Sequence, residues 1–162
     1  LGTGSGCIIL SILEDNKSLC ALGIDISYEA INIAVKNCKN LNLEKKATFI
    51  VSNWLSPICG LYDLIISNPP YIPSKDIDTL SGSVKNYDPL VSLDGGEDGL
   101  KCYREIAEDI TRVISKNGRV ILEIGYNQAD DVIKIFESKD FIFLDKYNNR
   151  ILNILKGCLG LF

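Results

Sequence analysis

The sequence contains no histidine among its 162 residues. A serine or cysteine nucleophile activated by an imidazole is therefore excluded, and few side chains remain that could bind zinc in the usual way. We expect no metal site. Any chemistry in this chain has to proceed without an imidazole group.

Basic charge and long apolar runs are also scarce. Lys and Arg number 17 against 21 Asp and Glu, so the net charge is −4 and the surface lacks the basic character expected of a protein that holds duplex nucleic acid. The apolar stretches at 7–13 and 151–162 are too short or too interrupted to span a bilayer. We expect no direct nucleic-acid partner, no membrane insertion and a monomer.

Methionine is absent as well, even at position 1, and the chain opens with LGTGSG, a loop sequence that normally follows a buried strand. We therefore interpret the chain as a fragment without that first strand.

The cysteines at 7, 20, 38, 59, 102 and 158 include no C-x-x-C pair and lie mostly in apolar segments. They are expected to be reduced core residues.

What is present predicts one α/β domain over residues 1–162. Helical spacing of apolar residues and β-branched runs alternate along the chain. Helices are predicted over 5–13, 28–41, 100–116 and 127–138, and strands over 20–25, 47–52, 62–67, 119–124, 140–147 and 150–156. This order predicts a mostly parallel, doubly wound sheet with a C-terminal antiparallel hairpin, and ligands are expected at the carboxyl ends of the strands.

The glycine loop and the acid that follows it indicate a nucleoside site. Gly2, Gly4 and Gly6, with Thr3 between them, lead into a helix whose first N–H groups have no partner within the helix and attract an anion. Asp25 ends the next predicted strand, where a carboxylate can accept hydrogen bonds from both ribose hydroxyls. Two alternatives are that the glycines only make a turn and that Asp25 only supports the next helix.

Asn53 and Trp54, at the end of the strand predicted over 47–52, extend this candidate nucleoside site. Asn53 could contact a base edge and Trp54 could pack nearby. That Trp54 is simply a core residue is equally compatible with the sequence.

SNPPYI, residues 67–72, carries the most specific chemistry. A planar amide or amino nitrogen is a poor nucleophile because its lone pair is delocalised. If Asn68 Oδ1 and the Pro69 carbonyl each accept one N–H of that group, the nitrogen is held as it becomes pyramidal. Pro70 adds stiffness, and Tyr71 offers a face for stacking or for a positive charge. The alternative is a plain Asn-Pro turn.

Two stretches of the long loop that follows, Gly95 to Gly99 and Tyr87-Asp88-Pro89, are proposed to shape the mouth of the substrate site.

Five motifs together resemble the HemK/PrmC-type release factor glutamine N5-methyltransferases. They are LGTGSG (1–6), GIDIS (23–27), SNPPYI (67–72), LDGGEDGL (93–100) and LEIGYNQ (122–128). The resemblance implies a Rossmann-like methyltransferase fold with a seven-stranded sheet and S-adenosyl-L-methionine as methyl donor. It implies the Gly-Gly-Gln glutamine of class I peptide chain release factors as acceptor, in the bacterial cytoplasm or an organellar matrix.

The same resemblance implies residue roles. The loop glycines would contact the methionine part of the donor and Asp25 its ribose, while Asn68 and Pro69 would hold the substrate amide. Asn68 is also expected to contact the donor. Asn53 stands where the family usually has an acid. The first strand and the helical N-terminal domain of the family are missing, so we expect the fragment to fold poorly by itself.

Three other functions remain open at this stage. NPPY also occurs in enzymes that methylate adenine in DNA and in some that methylate RNA bases. A noncatalytic nucleoside-binding remnant is the second alternative. A nucleotide-dependent dehydrogenase is the third, and Cys7 argues against it because it occupies the third-glycine position of the dinucleotide fingerprint that starts at Gly2.

Overall fold

The computed structural model of the protein describes residues 1–79, 90–148 and 150–156. These residues form two compact units, Leu1–Pro57 and Ile58–Phe162, and each unit has its own sheet. None of the helices in the described ranges is long and apolar enough to cross a membrane. The assignment of the whole chain to one catalytic domain stays a prediction.

The first unit contains two helices and a two-stranded parallel sheet. Its elements are α1 (Cys7–Asp15), β1 (Ala21–Asp25), α2 (Tyr28–Asn40) and β2 (Ala47–Val51). One cluster of its core consists of side chains from both helices and from β2 and the turn before it, namely Leu10, Leu13, Cys38, Leu43 and Ala47. Asp25 and Val51 are register partners, so both strands end at the same edge.

The start of α2 follows from its sequence. Ser27 has extended backbone, and its Oγ accepts a hydrogen bond of 3.1 Å from the Ala30 N–H, which is the predicted N-cap. Ile31, Ala34 and Cys38 are buried, as the helical spacing predicts. Val35 and Leu41, predicted for the same face, are 36% and 38% exposed, so the buried stripe is narrower than the pattern indicated.

The second unit contains a four-stranded mixed sheet in the order β3-β4-β6-β5. Its elements are β3 (Tyr62–Ser67), α3 (Lys101–Val113), β4 (Ile114–Glu123), α4 (Ala129–Glu137), β5 (Phe141–Tyr147) and β6 (Ile151–Lys156). Two 3₁₀ helices, Ser74–Thr79 and Leu90–Ser92, lie in the segment that was predicted to be a long loop. β3 pairs parallel with β4, and β6 pairs antiparallel with β4 and β5, which confirms the C-terminal hairpin. Asn149 of its turn lies outside the described residues.

The boundary between α3 and β4 differs from the prediction. Ile114 was assigned to the inner face of the helix and Asn117-Gly118 to its end, but the helix ends at Val113 and the strand begins at Ile114. Ile114 pairs with Tyr62, and the register between the strands then shifts before Leu64 pairs with Arg119. Gly118 packs against Ile114, since a Cβ there would lie 2.6 Å from Ile114 Cγ1. The Asn-Gly pair therefore belongs to an irregularity in the strand.

The cysteines do not all lie in the core. Cys38 and Cys102 are buried, but Cys7, Cys20 and Cys59 are exposed. The expectation of core cysteines is wrong for these three, because apolar neighbours in sequence do not decide which face of an element is covered. Cys158 lies outside the described residues.

Candidate active site

The glycine loop folds over the carboxyl end of β1. The Thr3 N–H donates to the Ile24 carbonyl at 2.8 Å, and the Gly6 N–H donates to the Thr3 carbonyl at 2.9 Å. Gly6 has φ 81° and is buried, and a Cβ there would lie 3.2 Å from the Ala34 side chain, so this position requires glycine. Gly2 and Gly4 also have positive φ, and the space beside Gly4 is open to 4 Å.

Asp25 ties the loop to the start of α2. Its Oδ2 accepts a hydrogen bond of 2.8 Å from the Gly4 N–H, and its Oδ1 accepts one of 2.9 Å from the Ser27 N–H. The supporting role considered for Asp25 is therefore real. Each carboxylate oxygen can accept a second hydrogen bond, so these contacts leave acceptor capacity for two ribose hydroxyls.

The end of β2 lies beside Asp25. The Ser52 N–H donates to the Asp25 carbonyl at 2.9 Å, which places Asn53 and Trp54 at the edge where the glycine loop sits. Asn53 is exposed, while Trp54 is half-buried and has a φ of 49°. The first unit thus contains seven of the eight residues that were predicted to bind the donor, namely Gly2, Thr3, Gly4, Gly6, Asp25, Asn53 and Trp54. The eighth, Asn68, lies in the second unit.

The NPPY segment follows directly after β3 in the second unit. Asn68 is exposed, Pro69 is buried, and Pro70 and Tyr71 are half-buried. The exposed Asn68 side chain is accessible to an acceptor group. Tyr71 lies near two opposite charges: burial and the Glu123 carboxylate raise the pKa of Tyr71, and Arg150 lowers it. The phenol remains neutral at physiological pH.

One glycine-rich motif, LDGGEDGL at 93–100, contacts this segment through backbone hydrogen bonds. The Ile72 N–H donates to the Leu93 carbonyl at 3.1 Å, and the Gly95 N–H donates to the Ile72 carbonyl at 2.8 Å. Gly95 approaches closely enough that a Cβ would lie 2.8 Å from Tyr71 Cα. The stretch from Gly95 to Gly99, proposed from sequence to shape the substrate mouth, therefore contacts the backbone of the NPPY segment. Tyr87-Asp88-Pro89, proposed for the same role, lies outside the described residues.

A match to a protein family decides what kind of chain this is. The model of the family "Methyltransferase small domain" matches residues 1–82, which is 82 of the 162 residues. The chain belongs to this methyltransferase family. The match includes the glycine loop, Asp25 and the NPPY segment.

Curated relatives narrow the family membership. The chain is 45% identical over 137 residues to the "Release factor glutamine methyltransferase" of Rhodospirillum rubrum, covering 85% of this chain and 42% of the relative. It is 43% identical over 157 residues to the protein of the same name from Agrobacterium fabrum, covering 94% and 54%. The resemblance stated from the five motifs is confirmed. The chain spans about half the length of these methyltransferases.

A solved structure supports the fold. The magnesium protoporphyrin IX methyltransferase from Synechocystis PCC 6803, solved with bound SAM, superposes with a TM-score of 0.62 at 17% identity, covering 96% of this chain and 67% of that chain. The predicted Rossmann-like α/β methyltransferase fold is confirmed.

Sequence reasoning missed two residues, Asn37 in the first unit and Gln128 in the second, each of which holds a predicted segment of its own unit. Asn37 on α2 donates through Nδ2 to the Ser5 carbonyl at 2.9 Å, which anchors the glycine loop. Gln128, just before α4, contacts the Tyr71 carbonyl through its side chain. No spacing rule identifies Asn37. Gln128 lies inside LEIGYNQ, one of the five motifs that carry the resemblance, but the sequence alone gave no role for it.

Proposed function

We propose that the protein transfers a methyl group from S-adenosyl-L-methionine to the side-chain nitrogen of a glutamine, the one in the Gly-Gly-Gln motif of class I peptide chain release factors. The observation that carries the proposal is that NPPY directly follows β3 with Asn68 exposed. The end of the segment is held by backbone hydrogen bonds between Ile72 and the Leu93–Gly95 stretch. The names of the curated relatives support the choice of acceptor.

The residues of the first unit fit the donor. Gly4 borders open space, α1 has no acidic residue in its first turn and no side-chain cap, and Asp25 retains acceptor capacity. The glycine loop would hold the methionine part, Asp25 the ribose, and Asn53 with Trp54 the base. The donor, when bound, supplies an electrophilic methyl group on a positively charged sulfur.

The NPPY segment would hold the acceptor. Asn68 Oδ1 and the Pro69 carbonyl accept the two N–H groups of the glutamine amide, which keeps the nitrogen in place as it becomes pyramidal. The nitrogen would form a bond to the methyl carbon as the bond from that carbon to the positively charged sulfur breaks. The rest of the donor would leave as a neutral thioether, and the nitrogen would then lose one proton to water. No general base is needed for this step, in agreement with the absence of histidine.

The test uses the full-length protein with a donor labelled on its methyl group. It is offered a class I release factor, the same factor with its Gly-Gly-Gln glutamine changed to alanine, and unmodified DNA in parallel. Label on the unaltered factor alone is the expected result. Label on DNA alone, or equal label on the altered factor, would refute glutamine methylation.

The proposed setting is the compartment in which the release factors act, the bacterial cytoplasm or an organellar matrix. The proposed protein partner is the release factor itself. We further propose that the protein acts as a monomer, which sedimentation of the full-length protein would test directly.

A further inference from the structure

The side chain of Gln128 joins three motifs that lie far apart in sequence. Its Nε2 donates to the Tyr71 carbonyl at 2.9 Å and to the Gly99 carbonyl at 3.2 Å, and its Oε1 accepts from the Gly125 N–H at 2.9 Å. Both N–H groups of this half-buried amide are used, together with one oxygen lone pair. The NPPY segment, the GGEDG segment and the turn after β4 meet at this one amide group.

The backbone of Gln128 is itself held at two points. Its N–H donates to the Gly125 carbonyl at 3.2 Å, and its carbonyl accepts from the Val132 N–H at 3.0 Å in the first turn of α4. The side chain therefore projects from a fixed point at the start of a helix. An amide anchored in this way fixes the three backbone groups that it contacts relative to the start of α4.

The neighbouring glycines leave the space that this amide needs. A Cβ at Gly99 would collide with the Tyr71 carbonyl oxygen and lie 2.6 Å from Gln128 Nε2. A Cβ at Gly125 would lie 2.6 Å from Gln128 Oε1 and 3.1 Å from Cδ2 of the Tyr71 ring. Glycine at these two positions thus allows the backbone, the amide and the aromatic ring to pack closely. Any larger residue would push these groups apart.

The NPPY segment needs such an external support. Pro69 and Pro70 carry no N–H, so two consecutive residues of the segment cannot donate to any neighbour. The support at Tyr71 is the carbonyl bond to Gln128, and at Ile72 it is the pairing with Leu93 and Gly95. A shift of Tyr71 would move Pro69 and Asn68, because the chain between them has few free torsions.

We propose that Gln128 is a positioning residue for methyl transfer: its amide fixes the Tyr71 carbonyl and thereby the two acceptor groups of Asn68 and Pro69. This inference rests on the proposed function. It assigns to Gln128 no contact with either substrate. The energetic logic is that a displacement of about 1 Å at a positioned group costs on the order of 100-fold in rate.

The decisive variant is Gln128→Glu in the full-length protein. It keeps an acceptor for the Gly125 N–H but places a negatively charged oxygen against the Tyr71 and Gly99 carbonyls, which repel it. The matched control is Asn127→Asp, the same amide-to-acid change at the adjacent, exposed position, where Asp tolerates the φ of 66°.

Two measurements are made on each variant. The first is kcat for glutamine methylation together with the Kd for the donor, and Gln128→Glu is expected to lower kcat roughly 10- to 100-fold while the Kd stays within about 2-fold. The second is hydrogen exchange of the Ile72, Gly95 and Gly99 amides. Exchange is expected to be faster in Gln128→Glu and unchanged in Asn127→Asp.

Normal turnover and unchanged exchange in Gln128→Glu would overturn the proposal. A loss of kcat accompanied by an equal loss of donor binding and by faster exchange throughout the chain would also overturn it, because that result describes general destabilisation. If the wild-type protein methylates no acceptor, the proposed function fails. The local exchange of the three amides then decides by itself whether Gln128 holds the segment.

Discussion

Asn68 is the residue on which the proposed chemistry depends most. It follows the last residue of β3, its side chain is exposed, and the prolines after it restrict the backbone. A residue placed in this way can present an oxygen acceptor without paying for large motions when substrate arrives. The restricted backbone at this position was predictable from the sequence, because prolines restrict the backbone wherever they occur.

Replacing Asn68 by alanine is expected to lower kcat by roughly 10²–10³, the scale for one preorganised polar contact at a transition state. The donor Kd is expected to stay the same, because the residues proposed to hold the donor lie in the other unit. Single-turnover kinetics with labelled donor measure both quantities. Asn40→Ala, at an exposed position at the end of α2, is the control. A rate for Asn68→Ala within about 3-fold of wild type would show that the amide is not held in this way.

Asp25 has contacts that its position in the sequence does not predict. Its position at the end of β1 predicted a ribose contact, but the structure adds hydrogen bonds from the Gly4 and Ser27 N–H groups. The same carboxylate thus shapes the loop that borders the candidate donor site. Substitution of Asp25 would affect loop geometry and ligand contact together, so Asp25 variants by themselves cannot separate the two roles.

Helix α2 shows how far local rules extend at the scale of an element. Its N-cap and three buried positions follow from residue type and helical spacing. The exposure of Val35 and Leu41 does not, because it depends on which neighbouring elements cover each side of the helix. The start of a helix is a local property, whereas the width of its buried face is not.

Ser27→Ala is expected to lower the free energy of unfolding by about 1 kcal/mol, because the Ala30 N–H loses its side-chain acceptor. Urea unfolding followed by circular dichroism measures the change. Ser11→Ala, at an exposed position inside α1, serves as the comparison and is expected to have a neutral or slightly stabilising effect. Equal stability of Ser27→Ala and wild type would contradict the assigned cap.

The α3–β4 junction marks the limit of periodicity. Ile114 fits the apolar face of the helix by spacing, yet it begins the strand and pairs with Tyr62. A β-branched residue at such a point fits both the helical spacing and the composition of a strand. Whether it becomes helix or strand therefore depends on the partner with which it packs in the tertiary structure. Here that partner is β3, and the chain changes from helix to strand without an intervening loop.

At the scale of the whole molecule, burial divides the described cysteines into two groups. Cys38 and Cys102 are buried, and burial is the first cause that raises the pKa of each thiol, to about 11 for Cys102. The reactive form of a thiol is the thiolate. Burial therefore lowers reactivity both by blocking access and by keeping the proton on sulfur.

Alkylation of the native protein at pH 8 is expected to modify Cys7, Cys20 and Cys59 much faster than Cys102, because those three thiols are exposed, whereas Cys102 is buried and burial raises its pKa to about 11. Mass spectrometry of digested samples gives the rate for each cysteine. The same digest after unfolding in urea is the control, in which all rates should converge. Equal rates for Cys102 and Cys59 in the native protein would contradict the assigned burial.

The sequence by itself determined the order of helices and strands, the restricted backbone of NPPY and the resemblance to a methyltransferase family. These properties are local, because helical spacing, β-branching, proline geometry and motif spacing act over a few residues. The tertiary structure decided which cysteines are covered, how Asp25 is bonded, and that Gln128 meets Tyr71 across 57 positions of sequence. Such contacts form only when distant segments pack together, and no local pattern records which segments those are.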